Sequence, residues 1–278
     1  MREIKVDLIT KKVAEALVKA NKVLPDDVYQ ALSKAIKTES SELSKDVLSK
    51  IVLNADIAKD ELAPMCQDTG MVVVFLEVGY DVHFDKDVYD AINQGVRNAY
   101  VEGYLRKSVA DPITRVNTKD NTPAIIHTTL VPGNKVRIVV APKGAGSENM
   151  SLVKMLTPAD GVEGIKKLVL DSIFNAGGRP CPPIILGLGI GGNLEKSAQI
   201  AKEALMRNID DVNPDPELAK LEAELLQEIN ELGVGPMGFG GKTTALAVKI
   251  AKYPTHIAAL PVAINIQCHA ARHLEIII

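Results

Sequence analysis

The chain has 278 residues, 46% hydrophobic and 24% charged, and its 32 basic and 35 acidic side chains leave a formal charge of -3. That is the composition of an ordinary globular protein, long enough to bury a core without help from disulfides. Four Phe, six Tyr and no Trp, with acids and bases mixed along the sequence, provide neither the basic stripe nor the stacking platforms of a nucleic-acid interface.

The opening stretch, MREIKVDLITKKVAEALVKA, carries a charge every few positions and no apolar run of signal-peptide length, so it is expected to be retained and the protein to be cytoplasmic. The longest apolar stretches, such as Ile257 to Ile264, reach about eight residues against the roughly 20 that span a bilayer, so no membrane segment is expected. From Glu3 to about Glu61, residues such as Ile9, Val13, Ala16, Leu17, Val47, Ile51 and Leu53 recur at helical spacing and predict two or three amphipathic helices. Pro25-Asp26-Asp27 has the chemistry of a helix start, and Pro64 closes this helical layer, about 1–61.

Met71 to Gly79 (MVVVFLEVG) is a short β-branched run and predicts a buried strand, and Asp85 to Lys107 returns to helical spacing through Val88, Ile92, Val96 and Tyr100. AIIHTTLV and KVRIVVA flank Pro132-Gly133-Asn134, which predicts an antiparallel hairpin between Ala124 and Ala141. A glycine-rich loop, Lys143 to Ser151, is followed by a predicted helix from Pro158 to about Ala176, a strand at Pro183 to Leu188, and helices at Glu195 to Met206 and Asp215 to Leu232. The fold class expected is α+β, a mixed or antiparallel sheet flanked by helices. With no repeat and no linker, 1–278 is expected to be a single domain.

Two glycine motifs invite nucleotide readings. Gly187, Gly189 and Gly192 form G-x-G-x-x-G between a predicted strand and helix, but the acids near the required distance, Asp210 and Asp211, have no strand before them. A tight strand-to-helix turn is the simpler reading. Gly240-Gly241-Lys242-Thr243 ends like a phosphate-binding loop, yet the first glycine of that motif is replaced by Pro236, which has no N–H to offer a phosphate. A nucleotide-binding oxidoreductase is therefore a weak alternative.

Cys66, Cys181 and Cys268 are odd in number, far apart and in no C-x-x-C pair, which argues against a disulfide framework. A lone free cysteine is more often a small buried hydrophobe than a ligand, but each of these sits at an element boundary among proline, glycine or polar neighbours. Three thiolates suit a four-iron cluster with one iron left open, a Lewis acid for a hydroxyl or carboxylate. Zinc on three thiolates, in a non-catalytic metal-bearing subunit, is the competing reading.

Cys66-Gln67-Asp68-Thr69-Gly70, Lys143 to Asn149 (KGAGSEN), Gly187 to Gly192, Gly238 to Lys242 and Cys268 to His273 (CHAARH) occur together, in order, over nearly the whole chain. In this the sequence resembles the α subunit of class I, iron–sulfur fumarate hydratase, within a family that also holds the α subunit of L(+)-tartrate dehydratase. The resemblance implies reversible hydration of fumarate to (S)-malate, a tricarboxylic acid cycle step, at a 4Fe-4S cluster held by Cys66, Cys181 and Cys268. It implies substrate contacts from Gln67, Asp68 and Arg106 and from the peptide groups of Gly144, Ala145 and Gly146, with Asp68 and His256 as catalytic residues. It leaves His269, Arg272 and His273 without a decided role and gives Lys242 none, while His83 and His127 read as structural. Single-chain members continue into a second domain. The expectation is therefore a separate β subunit that supplies the general base, in an α2β2 assembly, and covers the apolar segment Leu274 to Ile278.

Overall fold

The computed structural model describes residues 1–278. In chain order the elements are β1 (Arg2–Ile4), α1 (Val6–Lys22), α2 (Asp26–Thr38), α3 (Glu42–Asp60), β2 (Met71–Gly79), β3 (Val82–Phe84), α4 (Val88–Glu102), β4 (Ile125–Val131), β5 (Val136–Lys143) and the single turn α5 (Ala145–Glu148). There follow β6 (Leu152–Leu156), α6 (Gly161–Ala176), β7 (Ile184–Gly191), α7 (Leu194–Ala204), α8 (Pro216–Glu231), β8 (Ala245–Tyr253), β9 (Leu260–Gln267) and β10 (Leu274–Ile277). The fold is α+β with mixed sheets, as the sequence suggests. No helix is long and apolar enough to cross a membrane.

The chain groups into two compact units, the first made of Met1–Pro25, Ala55–Ala145 and Arg272–Ile278, the second of Asp26–Asn54 and Gly146–Ala271. The chain passes between the units four times without a linker, after Pro25, after Asn54 inside α3, after Ala145 at α5 and after Ala271.

In the first unit the strand order is β10-β5-β2-β4. Ile9, Val13 and Leu17 of α1 and Ile92, Val96 and Tyr100 of α4 pack with Val72, Val74, Leu76, Ile138 and Val140 of the sheet. The helices approach closely, for a Cβ on Gly95 would lie 2.8 Å from the carbonyl oxygen of Thr10. Asp87 caps α4 by accepting from the amides of Tyr89 and Asp90. The expected hairpin is not formed. β4 and β5 are joined by the Pro132-Gly133-Asn134 turn but do not pair, because β2 lies between them, parallel to β4 and antiparallel to β5. β2 is buried on both faces and needs a neighbour on each edge, and its end enters the turn, where the Gly79 amide donates to Lys135 O and that of Asp81 to Gly133 O. β10, at the edge of the sheet, pairs antiparallel with β5, burying Ile276 and leaving Ile277 exposed.

In the second unit the order is β6-β9-β7-β8, with β7 parallel to β8 and antiparallel to β9. Ile165, Val169 and Ile173 of α6 and Leu221, Leu225 and Ile229 of α8 pack with Leu186, Leu188, Val248, Ile250, Val262 and Ile264. On the other side of β7, α7 lies so near that a Cβ on Gly187 would fall 2.1 Å from Ala201 O and one on Gly189 2.0 Å from Ser197 O. These two glycines of the G-x-G-x-x-G run therefore serve helix-to-strand packing. Strand β6, in a stretch the sequence reading left without one, pairs antiparallel with β9.

Candidate active site

The first unit gathers most of the residues around Cys66. The segment Met65–Gly70 runs without regular structure into β2 and is held from several sides. The Met65 amide donates to Asn21 O at 2.9 Å. Cys66 Sγ lies 3.5 Å from Gln67 Oε1 as donor. Asp68 Oδ1 accepts from the Gly70 amide at 3.0 Å and Oδ2 from the Ala145 amide at 2.8 Å, so each carboxylate oxygen has a fixed N–H and a lone pair to spare. The Thr69 hydroxyl donates to Arg106 O at 2.8 Å, which brings the loop after α4 to the same place. Gly70, at φ +76°, could not carry a side chain, since a Cβ would lie 2.6 Å from the Lys143 nitrogen.

Beneath this segment is a polar network the sequence reading did not find. The Tyr100 hydroxyl donates to Thr69 O at 2.6 Å and Gly70 O at 3.1 Å, and Asn121 Nδ2 donates to Gly70 O at 3.0 Å. Asn121 Oδ1 accepts from the Ser108 and Val109 amides. Arg272, 2% exposed, donates from Nη2 to Asp68 O and from Nη1 to Asn21 Oδ1, both at 2.9 Å. Burial raises the Tyr100 pKa well above the usual phenol range, only partly opposed by the Arg272 charge, so the hydroxyl stays protonated and donating. Asn21 was detectable in principle: it stands four residues after Leu17 on the apolar stripe of α1, where a polar side chain needs a partner. Gln67, Arg106 and Ala145 are exposed at this site and Gly144 is buried, with Asp68 Oδ2 within 3.2 Å of the place a Gly144 Cβ would occupy.

The second unit holds Gly146, Cys181, Cys268 and His256. Its two cysteine loops meet: Cys181 O accepts from the His269 amide at 3.4 Å and lies 2.9 Å from His269 Nδ1. Cys181 adopts φ +55°, a conformation that costs an L-residue on the order of 1 kcal/mol and collects at functional sites. His256 is exposed on the turn between β8 and β9, its Nδ1 accepting from the Ala258 amide at 3.1 Å. It lines a cavity of about 900 Å³ with Ile165, Lys166, Leu218, Lys252 and Leu260, to which neither cysteine loop contributes.

The phosphate-loop lookalike also belongs to the second unit, and the anion it holds is internal. Glu39, 3% exposed, accepts from the Lys242 amide at 2.9 Å and from the Thr243 amide and hydroxyl at 3.0 and 3.1 Å. That gives the Gly240 to Thr243 stretch a structural role. Glu148, at the end of KGAGSE, accepts from Lys202 Nζ at 2.5 Å and from Asn265 Nδ2 at 3.1 Å, which fixes that loop against α7 and β9.

All three cysteines are outside disulfides, half-buried and outside both hydrophobic cores, and no set of three or more His, Cys, Asp and Glu side chains is placed to hold a single metal ion. Thiolates on irregular segments are the donor set an iron–sulfur cluster takes, so the residues present fit such a group in chemistry.

Comparison with known proteins agrees with the in-order motifs. Residues 10–277 match the family model described as fumarate hydratase (fumerase). The chain belongs to the fumarate hydratase family. As a member it is a hydro-lyase chain. It is 47% identical over 271 residues to a Methanocaldococcus jannaschii protein provisionally named L(+)-tartrate dehydratase subunit alpha, covering 95% of each chain. It is 30% identical over 271 residues to the L(+)-tartrate dehydratase subunit alpha of Escherichia coli K12, covering 96% of this chain and 89% of the relative.

Proposed function

We propose that this member of the fumarate hydratase family is the α subunit of a two-chain, 4Fe-4S-dependent hydro-lyase that acts on a small dicarboxylate, hydrating fumarate reversibly to (S)-malate. The observation that carries the reading is the cradle around Asp68, where a partly exposed carboxylate is fixed by two amides beside Cys66, Arg106 and Gly144–Ala145. Cys66, Cys181 and Cys268 hold the cluster in this reading. When bound, its open iron supplies Lewis acidity for the hydroxyl that leaves or enters.

This chain's own residues do the rest of what an α subunit contributes. Asp68, fixed in direction by the Gly70 and Ala145 amides, is oriented to hold or move a proton at the substrate. Arg106 presents an exposed guanidinium suited to bidentate binding of a carboxylate. Gly144, with no side chain, lets a substrate approach the backbone. Gln67 adds a polar contact next to Cys66, Gly146 a peptide group, and His256 is assigned to proton handling. A separate β subunit supplies the remaining base and cations, and an α2β2 assembly in the cytoplasm is the organisation assigned.

Dehydration of L(+)-tartrate is the second reading, favoured by the names of the two relatives. The chain should be reconstituted anaerobically with iron and sulfide, its iron counted, and the product assayed on fumarate and on L(+)-tartrate before and after a candidate β chain is added. About four irons per chain and fumarate turnover only with the partner is the expected result. Turnover of tartrate alone selects the second reading; stoichiometric zinc rejects both, and full activity without any partner rejects the two-chain site and requires a base within this chain.

A further inference from the structure

Arg272 is among the largest side chains buried in the protein, and both of its hydrogen bonds go to neutral oxygens, an amide side chain and a backbone carbonyl. Its Nε has no hydrogen-bond partner at all. A guanidinium buried in this state is a poor device for stability, since a buried charge normally needs an opposite charge and full hydrogen bonding. The two bonds it does make go to one place. Nη2 binds Asp68 O, and Nη1 binds Asn21 Oδ1, while the backbone oxygen of the same Asn21 holds the Met65 amide. One planar fork thus fixes the chain just before Cys66 and just after Gln67.

We infer that Arg272 is a positioning residue: with Asn21 it clamps the main chain on both sides of Cys66-Gln67 and so sets the direction of the Cys66 thiolate and the Asp68 carboxylate. This deepens the hydro-lyase reading and rests on it for the use of Cys66 as a ligand, but the clamp itself is a property of the chain without any cluster. A lysine could keep the charge and one bond, yet not reach both oxygens from a rigid fork.

The test uses the full chain prepared free of iron. Cys66 and Cys181 alkylation by iodoacetamide is followed by mass spectrometry, and amide exchange is followed over residues 65–70, in wild type, Arg272→Lys and Asn21→Ala. The expected result is a rise of about tenfold in Cys66 alkylation and local exchange in Arg272→Lys, and a smaller rise in Asn21→Ala, with Cys181 unchanged. Cys66 reacting at the wild-type rate in both variants overturns the clamp, and so does an equal rise at Cys66 and Cys181, which marks general loosening. Iron uptake by wild type is measured separately. If wild type binds no iron while the Cys66 response holds, the cluster reading fails and the clamp stands; iron binding without the Cys66 response rejects the clamp alone.

Discussion

Glu39 offers a quantitative test of how the second unit is held. Its carboxylate collects five donors: the Ser40 and Ser41 amides at 2.8 and 3.2 Å, the Lys242 and Thr243 amides, and the Thr243 hydroxyl. Three of these come from a loop some 200 residues away, and Gly241 must be glycine there, at φ +106° with a Cβ position 2.7 Å from Ser44 Oγ. In Glu39→Ala the exposed Ser40 amide can turn to water, whereas the Thr243 amide and hydroxyl lose a buried acceptor. At roughly 1–3 kcal/mol per stranded donor the expected loss is about 3–4 kcal/mol, and about 1–2 kcal/mol in Glu39→Gln, which keeps one acceptor oxygen. The pH dependence follows. Burial raises the Glu39 pKa, but the donors from Ser40, Ser41, Lys242 and Thr243 outweigh it and hold the carboxyl below its ordinary value of 4.5. Its contribution is therefore complete above that value and is lost as pH falls through the lower folded one. Urea unfolding of wild type and Glu39→Gln from about pH 7 to pH 3, with amide exchange over 235–244, should show a stability gap that is constant near neutrality and narrows in acid. A gap under about 0.5 kcal/mol in Glu39→Ala, or a gap in Glu39→Gln that ignores pH, would refute the reasoning.

Other expected outcomes are separately measurable. Gly189→Ala drives a Cβ to 2.0 Å from Ser197 O, where backbone must move, so a loss of about 3 kcal/mol or failure to accumulate as folded chain should be seen by thermal melting. Tyr100→Phe removes the donor to Thr69 O and Gly70 O and should cost about 1–2 kcal/mol, with faster amide exchange at residues 69–71 and none in the second unit. For Asp120, burial is outweighed by the Thr122 amide and hydroxyl and by Arg97, which lower the carboxyl from 3.8 to about 2; its stabilisation is full above pH 3.8 and disappears toward pH 2, so Asp120→Asn should flatten that part of the acid-denaturation curve. Cys181→Ser should bind much less iron after reconstitution while its far-ultraviolet circular dichroism stays that of wild type; full iron occupancy would remove Cys181 from the ligand set.

What the sequence disclosed, and what it withheld, follows from the range of the interactions involved. Helices were legible because their signals are local: Asp215 accepts from the Glu217 and Leu218 amides ahead of Pro216 at the start of α8, Asn193 caps α7, and the apolar spacing of α1 is its buried face. Strand β2 was legible as a β-branched run, but its neighbours were not. Pairing across β2 is decided by which strand needs two covered edges, and a turn composition at Pro132-Gly133-Asn134 says only that the chain reverses. The division into two units has no linker to mark it, and two of the four crossings lie within helices.

The residues around the candidate site divide in the same way. Cys66, Asp68 and the KGAG loop stand out by type and setting, whereas Asn21, Tyr100 and Arg272 become meaningful only once folding brings positions 21, 100 and 272 under the segment 65–70. Glycine-rich stretches show why motif and role come apart. Two of them hold carboxylates on backbone amides, and the distinction between structure and chemistry lies in what is left over. Glu39 is 3% exposed with all its donors internal and no access for a ligand. Asp68 is half-exposed, bound by one amide on each oxygen, with lone pairs free and with Gln67, Arg106 and Ala145 open to solvent around it. A carboxylate that is fixed but not exhausted can exchange a proton with a substrate, and one that is exhausted can only hold a loop.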